Sequence, residues 1–145
     1  YTGGNILRYK YRSLTISPTL TYSPSWAFVT YNGDFALSKS TFNNASISSR
    51  FNWKQSLTLT STIQKVDLSL SGIYYHNQLE GATLNTFIAD AKVTWRQKKF
   101  LVLATLANLF NKRNYIETSY SGVGIFTNSY ELRPRELILT FEFRL

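Results

Sequence analysis

The chain of 145 residues holds no Cys and a single His, His76. That inventory closes off most catalytic and metal chemistry. Thiolate nucleophiles, thiolate zinc sites and disulfide staples all require Cys. No His, Asp and Glu group has the spacing of a metal site, so no metal or other cofactor is expected. His76 stands beside Tyr74 and Tyr75 near the end of an alternating segment, the place of a rim residue rather than of a catalytic base. Gly122-Val123-Gly124 is a lone glycine pair in a Ser/Tyr-rich stretch, and it lacks the rest of any phosphate-binding pattern. Asn44-Ala45-Ser46 matches a glycosylation sequon, a pattern short enough to arise by chance. The sequence therefore reads as a non-enzyme.

Charge is the remaining chemistry. Asp34, Lys54, Asp67, Asp90, Lys92, Arg96, Glu142 and Arg144 all fall on the polar positions of alternating segments. They read either as ion-pair ladders that line a path or hold a plug, or as ordinary water-facing polarity. In the second case, cross-strand pairs contribute about a few tenths of a kcal/mol each. The net charge is +8, from 16 Lys+Arg against 8 Asp+Glu. Basic residues with many aromatics are the footprint of single-strand nucleic-acid binders. Here the basic residues are scattered over strand ends and turns (Arg8, Lys10 and Arg12; Lys98 and Lys99; Lys112 and Arg113; Arg133 and Arg135), so no nucleic-acid partner is expected. Lys112, Arg113, Arg133 and Arg135 are instead candidates for contact with phosphates of anionic outer-leaflet lipid.

The elements that carry these residues repeat every second position. Leu14, Ile16, Pro18, Leu20 and Tyr22 alternate with Ser13, Thr15, Ser17, Thr19 and Thr21. Phe51, Trp53, Leu57, Leu59 and Ile63 alternate with Asn52, Lys54, Ser56, Thr58 and Thr60. Val66, Leu68 and Leu70 alternate with Asp67, Ser69 and Ser71. Phe87, Ala89, Ala91, Val93 and Trp95 alternate with Asp90, Lys92 and Thr94, and Leu137, Leu139, Phe141 and Phe143 close the series. This is the period of strands with one apolar and one polar face. An aromatic share of 16% and abundant Ser and Thr suit strands over helices. The pattern predicts seven antiparallel strands near 5–22, 26–38, 45–63, 66–78, 84–96, 99–111 and 129–145. Phe100 to Phe110 is almost wholly apolar and is assigned to a strand by its neighbours. A change of parity between Tyr9 or Tyr11 and Leu14 predicts either a bulge near Arg12-Ser13 or two separate segments, and Pro18 is expected at an edge or a bulge.

Short connections at 23–25, 64–65 and 97–98 would then alternate with longer ones at 39–44, 79–83 and 112–128. Short turns at one end and long loops at the other are the layout of an outer-membrane β-barrel, and most segments reach the roughly 9–11 residues needed to cross a bilayer at a tilt. The small hydroxylic polar face suits a wet lumen. Tyr22, Trp95 and Phe143, near strand ends on the apolar face, suit interfacial girdles. No apolar run of about 18 residues offers a transmembrane helix. Seven strands do not match the even count of single-chain bacterial barrels. The chain also has no Met and opens on Tyr1-Thr2. Both features lead to the expectation that residues 1–145 are part of a longer barrel.

Asn108-Leu109-Phe110-Asn111, followed by Tyr115, resembles a signature near the C-terminus of TonB-dependent outer-membrane receptors. In that family it closes the penultimate strand and precedes an external loop. Leu137 to Leu145 resembles the family's last strand, with Leu139, Phe141, Phe143 and Leu145 in the place of its assembly signal. Ending in Leu145, where the family ends in Phe or Trp, is a departure. The resemblance implies a barrel of about 22 strands, closed by a plug and driven by TonB. It would sit in the Gram-negative outer membrane and pass a bulky nutrient. It implies as partners the rest of the barrel, outer-membrane lipid, the barrel-assembly machinery and, through a plug, TonB. Neither a plug nor a TonB box is visible in these residues. Two other readings stay open: a non-transporting barrel that serves as a structural or assembly partner, and a soluble ligand-binding β-barrel.

Overall fold

The computed structural model describes residues 8–42, 45–79, 82–120 and 125–143. All ten elements are strands: β1 (Tyr9–Ile16), β2 (Thr19–Tyr22), β3 (Phe28–Phe42), β4 (Ala45–Ile63), β5 (Val66–Leu79), β6 (Ala82–Arg96), β7 (Phe100–Ala107), β8 (Asn114–Tyr120), β9 (Ile125–Glu131) and β10 (Glu136–Phe143). No helix occurs among the described residues. The main sheet runs β1-β3-β4-β5-β6-β7-β10, with β2 also on β3, and every pairing is antiparallel. This is an up-and-down meander, interrupted only where β8 and β9 form a separate hairpin before β10. Along the described strands the sheet is open, with β1/β2 at one edge and β10 at the other.

Partners directly opposite in register share a face, so the two surfaces can be followed across the sheet. One carries Tyr31, Leu57, Gly72 and Ala89 in a row, and Ile63, Val66, Trp95 and Val102 in another. The other carries Thr30, Thr58, Ser71 and Asp90. Alternation has thus sorted apolar from polar side chains onto opposite faces, as the sequence pattern predicts. Among the described residues no second layer packs on the apolar face. Among the described residues, the buried hydrophobic ones are only Ala27 and Tyr115, whereas Leu57, Leu70, Val93, Leu139 and Phe141 are all exposed.

Several boundaries differ from the sequence reading. The first strand is split into two segments, β1 and β2, but the division falls at Pro18 and no bulge occurs at Arg12-Ser13. Pairing to β3 keeps one register throughout, from Tyr9↔Phe42 and Leu14↔Leu37 to Leu20↔Tyr31. Gly33 N donates to Pro18 O at 2.9 Å, but Pro has no N–H to return the bond. The parity change instead puts Tyr9 and Tyr11 on the polar face and Lys10 and Arg12 on the apolar one. The bulge that does occur lies in β4, where the register to β3 shifts between Ser40 and Thr41.

The connections expected to be long at 39–44 and 79–83 are mostly strand. β3 reaches Phe42 and β4 starts at Ala45, while β5 reaches Leu79 and β6 starts at Ala82. The run to Phe110 ends as strand at Ala107, and the last strand begins at Glu136 because residues 129–131 belong to β9. The tight turn at Gln64-Lys65 is as expected: Ile63 pairs with Val66 and Gln64 takes a φ of 54°. A positive φ at the first loop position is what primed hairpin turns demand.

Candidate functional site

The polar face gathers the charged residues singled out in the sequence. Asp34, Lys54, Asp67, Asp90, Lys92, Arg96 and Glu142 all project from that one face; Arg144 lies outside the described residues. Their pairing is partial. Arg96 Nη2 lies 2.7 Å from Asp67 Oδ2, and Thr62 Oγ1 donates to Asp67 Oδ1 at 2.8 Å. Asp34 faces Lys54 in register, and Lys54 Nζ sits 5.3 Å over the Tyr75 ring. Asp90 serves the backbone, accepting from Asn108 N at 2.7 Å. These are local arrangements and not one continuous ladder.

The hairpin β8–β9 lies against this polar face at the end away from the tight turns. Asn77 Nδ2 donates to Ile116 O at 2.8 Å. Tyr115 packs on Tyr75 with ring centroids 4.3 Å apart and on Tyr130 at 5.7 Å. Burial pushes the Tyr115 phenol above its usual range, and the neighbouring Tyr75, Glu117 and Tyr130 push the same way. The sequence pattern puts Tyr115 in a motif and residues 112–128 in a loop, whereas the structure forms a hairpin there. The signal for it was the pair of tyrosines, Tyr115 and Tyr130, which the structure sets opposite each other.

The motif Asn108 to Asn111 turns out to be the clamp at the root of that hairpin. Asn108 and Asn111 both hold φ of 51°, in the left-handed region where Asn is among the best tolerated residues. The buried Asn108 amide donates to Lys112 O at 2.7 Å and to Arg133 O at 2.8 Å, and its oxygen accepts from Lys112 N at 2.9 Å. Asn111 Oδ1 accepts from Arg135 N at 3.0 Å, and Leu132 N donates to Arg113 O at 2.7 Å. Leu109 N rejoins the ladder on Ala89 O at 2.8 Å, while the exposed Phe110 meets Phe87 at 5.0 Å. Lys112, Arg113, Arg133 and Arg135 therefore gather at the hairpin root with their side chains exposed.

The apolar face is banded. Near the tight turns lie Tyr22, Trp95 and Phe143, with Trp95 edge-on to Phe100 at 5.3 Å. Towards the other end lie Phe35, Phe51, Trp53 and His76, the last two stacked at 3.7 Å and 7°. His76 Nδ1 is 2.7 Å from Asn85 Oδ1, which also accepts from Tyr74 Oη at 3.1 Å. This second cluster was not anticipated, because its members are spread over β3, β4 and β5 and meet only through register. Between the bands, Gly72 leaves an apolar hollow of about 500 Å³ bordered by Leu57, Leu70, Tyr74, Phe87 and Phe110.

Comparisons with known protein families, with curated proteins and with solved structures gave no match. Leu139, Phe141 and Phe143 project together from the apolar face of β10, and Leu145 lies outside the described residues. Gly122 to Gly124 and Asn44 of the sequon lie outside them as well. No group of His, Asp and Glu that could hold a metal is found among the described residues. Among the described residues no helix is long and apolar enough to cross a membrane.

Proposed function

We propose that this chain forms part of the wall of an outer-membrane β-barrel. Its apolar face would lie in lipid and its polar face would bound an aqueous lumen. The observation that carries the reading is the single-layer sheet with one exposed apolar face banded by aromatics. The dimensions support it. From Trp53 to Ile63 on β4 is about 33 Å at ~3.3 Å per residue. At a tilt near 40° this is about 25 Å in height, the depth of the apolar band of such barrels. In hydrocarbon, unpaired backbone groups are costly, so the open edges at β1/β2 and β10 would pair with further strands.

The resemblance of Asn108 to Tyr115 and of the last strand to TonB-dependent receptors extends this reading to transport of a bulky nutrient. The place of β8–β9 supports it: tied to Asn77 and Tyr75, the hairpin would narrow a lumen bounded by the polar face. The absence of Cys makes a clean test possible. Single cysteines placed at Leu68, Ser69, Leu70 and Ser71 in the native protein would carry nitroxide labels in lipid vesicles. Labels at Leu68 and Leu70 should be relaxed by oxygen in the lipid, and those at Ser69 and Ser71 by a water-soluble nickel complex. Loss of that alternation would defeat the membrane reading.

A further inference from the structure

The apolar face carries an anomaly at one corner. Above Leu14↔Leu37 and Ile16↔Phe35, the same face turns basic: Arg12 stands directly opposite Lys39, and Lys10 opposite Thr41. All three cations are exposed, and with Thr41 they border a hollow of about 230 Å³. Like charges directly opposite on one sheet face destabilise it. Among the described residues of the main sheet, no carboxylate shares that face. Every carboxylate on the described strands of the main sheet, namely Asp34, Asp67, Asp90, Glu136 and Glu142, projects from the other face. The corner lies at the end that carries Phe35, Phe51 and Trp53, beyond the apolar band.

We propose that Lys10, Arg12 and Lys39 form a site for the phosphate of an anionic lipid headgroup, whose acyl chains lie on Leu14, Ile16 and Leu37 beneath. The proposal rests on the reading of the apolar face as lipid-facing, and it adds a specific ligand class to it. The chemistry fits: a guanidinium presents a planar fork of donors to phosphate oxygens, and two ammonium groups add compact charge. Headgroups sit just outside the hydrocarbon core, at the height where this face changes from apolar to basic. Basic residues near an anionic membrane surface each add to its attraction.

The test uses the native protein and the triple variant Lys10→Gln/Arg12→Gln/Lys39→Gln. A Lys98→Gln/Lys99→Gln variant at the opposite end serves as control. Native mass spectrometry would follow retention of phosphatidylglycerol and of phosphatidylcholine. The expected result is preferential retention of phosphatidylglycerol, weakened roughly 10- to 100-fold by the triple substitution and unchanged in the control. Equal retention by the triple variant would overturn the proposal, as it would if carboxylates of an adjoining strand met the charges. Equal retention of phosphatidylcholine, or displacement of the lipid by inorganic phosphate alone at the same concentration, would also overturn it. Flotation with vesicles separates the two levels. If the protein does not insert at all, the membrane reading falls; if it inserts without headgroup preference, only this site does.

Discussion

Asn108 shows how much a single amide can organise. Its side chain spans Lys112 and Arg133, and its backbone sits on Asp90. Leaving one such buried partner unsatisfied costs about 1–3 kcal/mol, and holding a non-glycine residue in the left-handed region adds about 1–2 kcal/mol. Asn108→Ala should therefore destabilise the native protein by about 2–5 kcal/mol, and the Lys112 amide should exchange much faster with solvent. Asn108→Gly keeps the φ of 51° without strain but loses the clamp, so it should fall between the two. If both variants exchange at Lys112 as the parent does, the clamp is not what holds the hairpin root. Tyr115 makes a different test. Its raised phenol keeps its proton in the folded state after the unfolded chain loses it near pH 10. Below that pH both states are protonated; above it, hairpin docking weakens as pH rises. Phenolate absorbance should therefore show a late step from Tyr115 that is missing in Tyr115→Phe, which retains the ring packing. A late step that survives the substitution would count against this origin.

At the scale of elements, legibility followed how differently the two faces are composed. β4, β5 and β6 are readable because Leu57, Leu59, Leu70 and Val93 share one face and Thr58, Ser71 and Lys92 the other. Where that contrast fades, so does the signal. β7 has Leu101 and Leu103 on one face and Val102 and Leu106 on the other, so its end at Ala107 leaves no trace in the period. It is written instead in Asn108, whose backbone turns left-handed. The parity change at Tyr9 and Tyr11 was visible, but its cause was not. It marks the point along β1 at which one face changes from Leu14 and Ile16 to Lys10 and Arg12, with the backbone register unbroken. The hairpin β8–β9 was hidden for a related reason: it is anchored by Asn77, Tyr75 and Asn108, which lie up to tens of residues away in sequence and converge only through register.

For the molecule as a whole, the choice is between lipid and protein as the cover of the apolar face, and β4 offers a ruler for deciding it. Phe51, Leu57 and Ile63 lie on that one face, near one end, the middle and the other end of the band, and all three are exposed. An arginine facing lipid costs about 2–4 kcal/mol at the bilayer midplane and about 0–1 near either interface. Comparing Arg with Ala at each position removes the packing lost by truncation. The difference should peak at Leu57 and fall towards both Phe51 and Ile63, as read by denaturant unfolding of the native protein in lipid vesicles. Thr58→Arg, one residue away on the polar face, should cost little beside Thr58→Ala. A protein layer over the same face has no reason to produce a penalty that declines symmetrically with height, because its local packing would set each value separately. An equal cost at all three positions, or a larger cost at Ile63 than at Leu57, would point to that layer and away from a bilayer.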